Sequence, residues 1–484
     1  MSQIYCVMTG HGFKHEMQVI SQIFFAHSRF LVSEKIPAEG YAVLGRLEGT
    51  ACTGELYLNG KRLTAHTVDI AVELNMKRCL MLALFYALKE ATGQPTPWGA
   101  LCGVRPAKQV RLWLEEGDSE AEIAERLSKV YLCRNDKIKL ATKVANAEMK
   151  LISEQKKLGV GLYIGIPFCP SRCLYCSFVT AQKNGSDAHK RYLAALAKEC
   201  GAIAANVREN ELLINAIYIG GGTPTALSED DLAFLMKIVA PFAGGAEYTV
   251  EAGRPDSITL EKLLLLKSAG VNRIAINPQT LNNNTLRRIG REHTAEDFFN
   301  AYEMARQAGF DNINTDVIAG LPGEGPEDMQ QTMEGLKKLM PAQITVHTLA
   351  VKRASRLNEY RIEHQAPERC RAALDPVLKE PKLPDCGDFE AVDEMLGIAQ
   401  EICGDIGLAP YYMYRQKNMI GHFENVGYCV PGYESLYNVA MMAETQTVLA
   451  AGAGGVTKYI QGTKIWREFN PKDVETYIGR MENL

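Results

Sequence analysis

The sequence predicts an α/β fold, namely a partial (β/α)6 barrel preceded by an N-terminal α+β and helical extension and followed by a C-terminal α+β region. Between residues 159 and 350, short apolar runs alternate with segments of helical period, which is the pattern of βα units in a parallel sheet. An unusual motif ends or follows every one of the predicted strands. Because the carboxyl ends of parallel strands meet at one rim, these motifs predict a functional site there.

Residues 1–71 are predicted to form a small α+β accessory domain. Its predicted elements are a strand at Ile4–Met8, a helix at His15–Phe25 and strands at Gly40–Gly49 and Glu55–Leu58. Asn59-Gly60, directly after the last strand, indicates a two-residue hairpin turn. His11 and His15 are four residues apart, but Gly12 disfavours a shared helix face. Without a third ligand nearby, we interpret both histidines as ordinary surface or core residues rather than metal ligands.

Residues 72–158 are predicted to be a helical region. Its predicted helices are Val72–Thr92, Lys108–Glu116, Ser119–Leu127 and Asp136–Lys157. Gly93 provides a C-terminal stop for the first helix, and Ser119 followed by Glu122 resembles a capping box. The Lys and Arg residues of this region alternate with Glu and Asp, which indicates a solvated, salt-bridged surface rather than a nucleic-acid interface.

Residues 159–351 are predicted to form the partial barrel. The predicted strands are Val160–Ile166, Ala216–Ile219, Tyr248–Val250, Arg273–Ile276, Ile313–Ile318 and Ile344–Leu349. The predicted helices lie near Ala188–Val207, Glu229–Ala240, Thr259–Ala269, Ala295–Ala308 and Pro326–Met340. Strands and helices that alternate in this way favour a parallel sheet that curls towards a barrel.

Residues 352–484 are predicted to be a linker followed by an α+β domain that covers the substrate. The stretch 352–395 is charged and rich in proline, which is typical of a linker or an irregular insertion. The glycines of Ala451–Gly455 are not followed by Lys-Ser/Thr, so they indicate a tight turn rather than a phosphate-binding loop. Four cysteines of this region are too widely separated to predict a second cluster: Cys370, Cys386, Cys403 and Cys429.

Composition excludes several classes of protein. The chain has 484 residues, of which 46% are hydrophobic and 23% charged, as expected of a folded protein with more than one domain. A net charge of −4 gives no reason to expect nucleic acid, and no apolar run is long enough to span a membrane. No secretory signal opens the sequence, so its 13 cysteines fit reduced thiols in a cytoplasmic, anaerobic enzyme.

Three cysteines follow the first strand of the predicted barrel with the spacing C-x3-C-x2-C: Cys169, Cys173 and Cys176. Three ligands are one short of a closed zinc site. An iron–sulfur cubane held by three thiolates keeps one iron open to a further ligand. Incidental core thiols are the alternative, but such thiols seldom cluster in one loop. The loop therefore predicts a catalytic iron–sulfur centre.

The spacing resembles that of the radical SAM superfamily, in which S-adenosylmethionine (SAM) binds the open iron of a [4Fe–4S] cluster. The longer motifs Tyr163–Cys176, Gly220–Pro224, Gly270–Gln279 and Asp316–Pro322 resemble the oxygen-independent coproporphyrinogen III oxidase family, also called coproporphyrinogen dehydrogenase. The N-terminal extension, which contains Leu101–Pro106, is similar to the HemZ-type branch of that family.

The resemblance implies a cluster on Cys169, Cys173 and Cys176 and a SAM site beside it. The residues implied to contact SAM are Tyr163, Phe178, Gly221, Gly222, Thr223, Glu251, Gln279, Arg291, Asp316 and Ala350. Tyr163 and Glu251 are also the candidate catalytic residues. Arg291 offers a bidentate fork for the SAM carboxylate, and the acids offer acceptors for ribose hydroxyls. The alternative for the glycines alone is a tight turn, and the alternative for each polar residue alone is a structural role. Phe168, Tyr175 and Phe178 are expected to keep water from the cluster.

The resemblance further implies a tetrapyrrole substrate. Two propionates of coproporphyrinogen III would be decarboxylated oxidatively to give protoporphyrinogen IX, with a flavodoxin or ferredoxin as a suitable electron donor. Gly165 departs from the family pattern Tyr-x-His-Ile-Pro-Phe-Cys, which has histidine at that position. This departure leaves two alternatives open: a radical enzyme for another tetrapyrrole, and a haem-trafficking protein that binds haem through His347, His422 or a cysteine. A radical enzyme for RNA is disfavoured by the mixed charge of residues 1–158.

Overall fold

The computed structural model describes residues 3–26, 28–70, 75–154, 159–178, 181–182, 186–365, 388–462 and 464–483. The chain is organised in two compact units. The first comprises Met1–Pro106, Trp113–Ala141 and Arg415–Phe423, and the second comprises Ala107–Leu112, Thr142–Tyr414 and Glu424–Leu484. The division of the chain at residues 72, 159 and 352 stays a prediction.

The N-terminal part of the chain carries one mixed sheet and a series of helices. Its strands are β1 Gln3–Thr9, β2 Arg29–Ser33, β3 Tyr41–Glu48, β4 Ala51–Leu58 and β5 Lys61–Asp69. The helices are α1 Lys14–Phe24, α2 Met76–Thr92, α3 Pro106–Glu116, α4 Glu120–Lys129 and α5 Asn135–Ser153. The strand order is β2-β1-β3-β4-β5, with β1 parallel to both of its neighbours. The sequence did not predict β2 or β5 as separate strands.

Backbone geometry confirms the hairpin turn and the helix end that the sequence predicted in the N-terminal part of the chain. Asn59 and Gly60 have φ angles of 50° and 75°, and they close the hairpin in which Leu58 pairs with Lys61. Positive φ at both turn residues is what the twist of a two-residue hairpin requires. Gly93 ends α2 in the left-handed conformation, with a φ of 64°.

Helix α2 packs across strand β4. A side chain at Gly54 of β4 would overlap the backbone of Leu84, so glycine permits this close approach. Asn75 caps the helix by accepting a hydrogen bond from Arg78 N at 3.0 Å. The predicted helix start at Val72 and the predicted end of α5, at residues 155–157, lie outside the described residues. The predicted capping box at Ser119 and Glu122 is present at the start of α4.

The second unit is built on a large sheet. The strands of the unit are β6 Gly159–Ile166, β7 Phe168–Cys169, β8 Ala181–Gln182, β9 Leu213–Gly221, β10 Glu247–Glu251, β11 Arg273–Ala275, β12 Asn312–Ala319, β13 Gln343–Thr348, β14 Ala409–Tyr414, β15 Asn425–Cys429, β16 Val448–Ala451, β17 Val456–Gln461 and β18 Lys464–Phe469. Strands β7 and β8 pair with each other in a separate two-stranded sheet. Its helices are α6 Ser186–Glu209, α7 Glu229–Val239, α8 Leu260–Ser268, α9 Asn283–Arg288, α10 Ala295–Gln307, α11 Pro326–Leu339, α12 Arg356–Gln365, α13 Phe389–Asp405, α14 Leu436–Ala443 and α15 Val474–Glu482.

The predicted parallel βα architecture is confirmed. Strands β6, β9, β10, β11, β12 and β13 are hydrogen-bonded in that order, and each neighbouring pair is parallel. Helices α6, α7, α8 and α11 connect consecutive strands, whereas two helices, α9 and α10, lie between β11 and β12. The carboxyl ends of the six strands therefore share one rim, as the sequence predicted.

The C-terminal residues extend both edges of this sheet. On one side β16 pairs in parallel with β6 and is followed by the antiparallel β17 and β18. On the other side β15 pairs antiparallel with β13, and β14 pairs with β15. All four residues of β16 are buried and apolar, as expected of an inner strand. The backbone of β16 pairs with β6 on one side and with β17 on the other.

Part of the predicted linker is helical. Helices α12 and α13 lie at its two ends, and residues 366–387 between them lie outside the described residues. Helix α12 follows Ser355, whose hydroxyl accepts a hydrogen bond from Asn358 N at 3.2 Å. Leu357 and Tyr360 are buried, which gives this charged segment an apolar face. The interpretation of the whole stretch as irregular was wrong at its ends.

The amino ends of the strands are closed by packing. Glu247, at the start of β10, accepts hydrogen bonds from Ser435 Oγ at 2.9 Å and from Leu436 N at 2.6 Å, which fixes the start of α14 there. Arg273 at the start of β11 donates to Gln343 at the start of β13. The predicted site residues lie at the opposite, carboxyl end of these strands. Among the described residues, no helix is long and apolar enough to cross a membrane.

Candidate functional site

The three predicted cysteines follow β6, with Cys169 at the end of β7 and the other two in the loop after it. All three are free thiols; Cys173 is buried, and Cys169 and Cys176 are partly buried. The backbone of Leu174 ties the loop to two other segments, because its N–H donates to Ile289 O and its carbonyl accepts from Leu357 N, each at 2.9 Å. The loop is thus held in place by protein contacts.

The charge around the loop suits an anionic cluster. Burial raises the pKa of Cys169 to about 11, while its hydrogen bond with Thr223, at 3.4 Å, opposes the rise. Burial also raises the pKa of Cys176. Four cationic side chains lie near enough to act on these thiols: Arg172, Arg254, Arg291 and Lys352. A thiolate must form when iron binds, and these cations offset its charge.

The glycine turn after β9 is joined to the cysteine loop by its backbone. Gly222 N donates to Ile166 O at 2.6 Å, and Thr223 N donates to Phe168 O at 2.7 Å. A Cβ atom at Gly222 would lie 2.7 Å from the carbonyl oxygen of Ile166 and closer still to that of Phe168. Gly221 has a φ of 103°, which disfavours other residues. Glycine is therefore required here, and the turn places the Thr223 hydroxyl beside Cys169.

Glu251 lies at the end of β10 beside this turn. It accepts hydrogen bonds from the Tyr218 hydroxyl at 2.5 Å and from Gly221 N at 3.3 Å. Burial, followed by the nearby charge of Asp316, raises the pKa of Glu251 to about 7, although the Tyr218 hydrogen bond opposes the rise. Glu251 can therefore hold or release a proton near neutral pH.

Three tyrosines form a stack next to Glu251. The rings of Tyr218 and Tyr437 are 4.5 Å apart, and the predicted site residue Tyr163 lies 6.4 Å from each of them. Burial raises the pKa of Tyr163, so its hydroxyl stays protonated. The sequence did not single out Tyr218 or Tyr437. The sequence offers one indication of a functional role for Tyr218, because this residue places a polar hydroxyl group within the apolar run that predicts β9.

Asp316 of β12 pairs with His347 of β13. Asn314 Nδ2 donates to Asp316 at 2.7 Å, and His347 Nε2 lies 3.5 Å from the other carboxylate oxygen. Burial alone would raise the pKa of Asp316, but the hydrogen bond and charge of His347, together with hydrogen bonds from Asn314 and Thr345, outweigh burial and lower it. Asp316 is therefore an anion at a pH where Glu251 still binds protons.

Gln279 has an unusual backbone. Its φ is 68°, in the left-handed region, and its N–H and carbonyl bond to Asp316 O and Ile318 N at 2.9 and 3.0 Å. The side chain is buried, yet its Oε1 atom has no hydrogen-bond partner among the described residues. Strain and an orphaned polar atom are typical of ligand sites. Both features fit the predicted contact with SAM.

Arg291 is buried and joins several loops of the rim. Its guanidinium donates to Gly253 O at 2.8 Å, to Asn277 O at 2.6 Å and to the Tyr175 hydroxyl at 3.3 Å. A bidentate pair with a carboxylate would require some of these bonds to break. The predicted pairing of Arg291 with the SAM carboxylate stays a prediction, and the structure adds a loop-bracing role.

The remaining predicted residues lie at the outer part of the site. Ala350 follows β13 and is partly buried. Phe168 is buried, and Tyr175 lies near Cys173 and Cys176. Their predicted role in excluding water from the cluster stays a prediction. Phe178 has 63% of its surface exposed. The predicted roles of Phe178 in shielding the cysteines and in contacting SAM stay predictions.

Comparison with known proteins identifies the family. The family model for the radical SAM superfamily matches residues 163–336. The oxygen-independent coproporphyrinogen-III oxidase-like protein HemZ of Bacillus subtilis is 37% identical over 417 residues, which are 84% of this chain and 79% of that protein. The chain belongs to this family of radical SAM proteins. Its cofactors are a [4Fe–4S] cluster and SAM.

Other relatives of the family carry two different names. The heme chaperone HemW of Bacillus subtilis is 38% identical over 323 residues, which are 65% of this chain and 74% of that protein. The oxygen-independent coproporphyrinogen III oxidase of Escherichia coli is 31% identical over 42% of this chain and 45% of that enzyme. The solved structure of the Escherichia coli enzyme HemN has a TM-score of 0.51 at 21% identity, with 70% of this chain and 72% of that chain covered, which shows a shared fold.

The residues present fit both cofactors. Among the described residues, no three His, Cys, Asp or Glu side chains surround a single-ion position. A cubane does not need such a group, because each of its irons takes its own thiolate. Cys169, Cys173 and Cys176 would hold the cluster, and nearby cations offset its charge. The glycine turn, the orphaned Gln279 amide oxygen and the Asp316 carboxylate would hold SAM beside it.

The raised pKa of Glu251 predicts a dependence of stability on pH. Because the folded protein binds this proton more tightly than the unfolded chain does, stability declines as the pH rises from about 4.5 to about 7. Glu251→Gln removes this decline, so the cofactor-free variant is expected to be more stable than wild type at pH 8, by up to about 3 kcal/mol. Urea unfolding at pH 5 and pH 8 measures the difference; an equal decline in both proteins would contradict the shift.

Proposed function

We propose that the protein is an oxygen-independent coproporphyrinogen III dehydrogenase of haem biosynthesis. It would convert two propionates of coproporphyrinogen III to vinyl groups, giving protoporphyrinogen IX. The observation that carries the proposal is the joining of the cysteine loop, the glycine turn and Glu251 at one rim, in a chain 37% identical to a coproporphyrinogen-III oxidase-like protein. A cytoplasmic, anaerobic location belongs to this proposal.

The reaction sets the tasks of the rim residues. Each propionate loses one hydrogen atom, one CO2 and one electron, which passes to an acceptor. When bound, the reduced cluster and SAM supply the radical that takes the hydrogen atom. The glycine turn and Gln279 position the cofactor, and Glu251 holds or releases a proton. Tyr163 and Tyr218 line the site with rings that keep it dry.

A one-electron donor must approach the cluster, and a basic segment lies beside the cysteine loop. Arg172 donates to Ala354 O at 2.5 Å, which places the segment that contains Lys352, Arg353 and Arg356 next to the loop. Such a surface suits an acidic carrier such as a flavodoxin or ferredoxin. We include this donor in the proposal.

Gly165 affects how the proposal works. A Cβ atom at this position would lie 3.2 Å from Ala453 O and 3.5 Å from Ala451 O, so the turn after β16 narrows the space for a histidine side chain. In this protein, we assign proton handling to Glu251, whose pKa is raised to about 7 by burial.

Haem trafficking is the second candidate function. It is favoured by the 38% identity to a heme chaperone and by His347, whose ring is oriented by Asp316. An imidazole that bonds to a carboxylate through one nitrogen is a common ligand for a metal. His422 belongs to the first unit, and the structure gives no further support to its predicted role as a haem ligand.

An anaerobic assay tests the proposal. The full chain with a reconstituted cluster is given SAM, dithionite and coproporphyrinogen III, and products are followed by mass spectrometry. We expect loss of two carboxyl groups together with 5′-deoxyadenosine. Deoxyadenosine without a change in the tetrapyrrole would reject this substrate and point to another one. Neither product, with stoichiometric haem binding that His347→Ala abolishes, would establish the trafficking function instead.

A further inference from the structure

We propose that Arg254 is a positioning residue that sets the reduction potential of the iron–sulfur cluster through a hydrogen bond to Cys173. Arg254 follows β10 and was not among the residues that the sequence singled out. The inference concerns the cluster alone, so it does not depend on the substrate of the enzyme.

The guanidinium of Arg254 is directed at the cysteine loop. Its Nη1 atom donates to Ser171 Oγ at 2.9 Å and to Cys173 Sγ at 3.8 Å. Ser171 Oγ in turn donates to Gly290 O at 3.1 Å. The same nitrogen thus contacts the loop both at a side chain and at a predicted iron ligand.

Asp256 holds the guanidinium in this orientation. Its carboxylate forms a bidentate pair with Arg254, at 2.8 Å to Nε and 2.7 Å to Nη2. This pairing occupies the two nitrogens that face away from the loop and leaves Nη1 for Cys173. The Arg254 carbonyl also accepts from Ser257 Oγ at 2.7 Å, which fixes the backbone of the turn.

Burial strengthens the electrostatic effect of the Arg254 guanidinium on the cysteine sulfur. Arg254 is 3% exposed, whereas the side chain of Asp256 is 20% exposed. Water therefore screens the carboxylate more than it screens the guanidinium, and the positive charge lies closer to the sulfur. Reduction adds a negative charge to a cluster, and a hydrogen bond to a ligating sulfur stabilises that charge. Arg254 therefore favours the reduced cluster.

Two variants with opposite expected signs test the inference. Arg254→Gln removes the positive charge and should lower the equilibrium constant for one-electron reduction about ten-fold, which is about 59 mV. Asp256→Asn removes the compensating negative charge and should raise the constant. Arg254→Lys keeps the positive charge, so this variant should retain a reduction potential close to that of wild type. The measurement is an anaerobic dithionite titration of the reconstituted full chain, followed by the electron paramagnetic resonance of the reduced cluster.

A matched control lies on α10, where Arg306 pairs with Asp311 at 2.9 Å and is 46% exposed. Arg306→Gln should leave the potential unchanged. An unchanged potential in Arg254→Gln with full iron content would overturn the inference, as would shifts of the same sign in Arg254→Gln and Asp256→Asn. If Arg254→Gln fails to hold iron, Asp256→Asn decides: a higher potential supports the role, and an unchanged or lower potential refutes it.

Discussion

Cys173→Ala is expected to leave the protein without a normal cluster and without any cleavage of SAM. Two thiolates remain in the loop, and a cubane that has lost one of three protein ligands exposes a second iron to solvent. Cys173 is also the most buried of the three cysteines, at 8% exposure, so solvent has little access to its position. Iron content, the visible absorbance of the cluster and the yield of 5′-deoxyadenosine measure the effect.

Cys403→Ala is the control for this variant. Cys403 is a fully buried free thiol of α13, and burial raises its pKa, as expected of a packing residue rather than an iron ligand. Iron content and SAM cleavage should match wild type. Loss of about four irons in this control would instead revive a second cluster. SAM cleavage that persists in Cys173→Ala would refute the assignment of the cluster loop.

The central strands were predictable because their burial depends on their own residues. A run such as Val160–Ile166 is apolar on both faces, which only an inner parallel strand requires. The outer strands were less predictable. β16 is also apolar, but its place beside β6 results from a pairing between segments far apart in the sequence, and local pattern does not encode that pairing.

The same distinction applies to the site. The cysteine loop, the glycine turn and Glu251 were predictable because each follows a strand, and strand ends converge by geometry alone. The contact of Arg254 with Cys173, the stacking of Tyr437 on Tyr218 and the pairing of His347 with Asp316 depend on side-chain packing across the rim. Only the folded chain shows these contacts.

Gly222→Ala is expected to weaken SAM binding at least ten-fold and to displace the start of the cysteine loop. The added methyl group would overlap the carbonyl oxygens of Ile166 and Phe168, which are backbone atoms and cannot move aside as a flexible side chain can. The two backbone hydrogen bonds that join the turn to the loop would lengthen or break, and Thr223 would move away from Cys169. Equilibrium binding of SAM to the cluster-loaded protein measures the loss.

Gly244→Ala provides the matched comparison, because a Cβ atom at that position would meet no atom of the described residues within 4 Å and its φ is not in the left-handed region. Both variants replace one glycine with alanine in the second unit, so they change the flexibility of the unfolded chain alike. We expect Gly244→Ala to bind SAM as wild type does. Equal affinity in the two variants would show that the turn does not position the cofactor. A lower affinity in Gly222→Ala, at unchanged iron content, would separate SAM positioning from cluster binding and assign the former to the glycine turn.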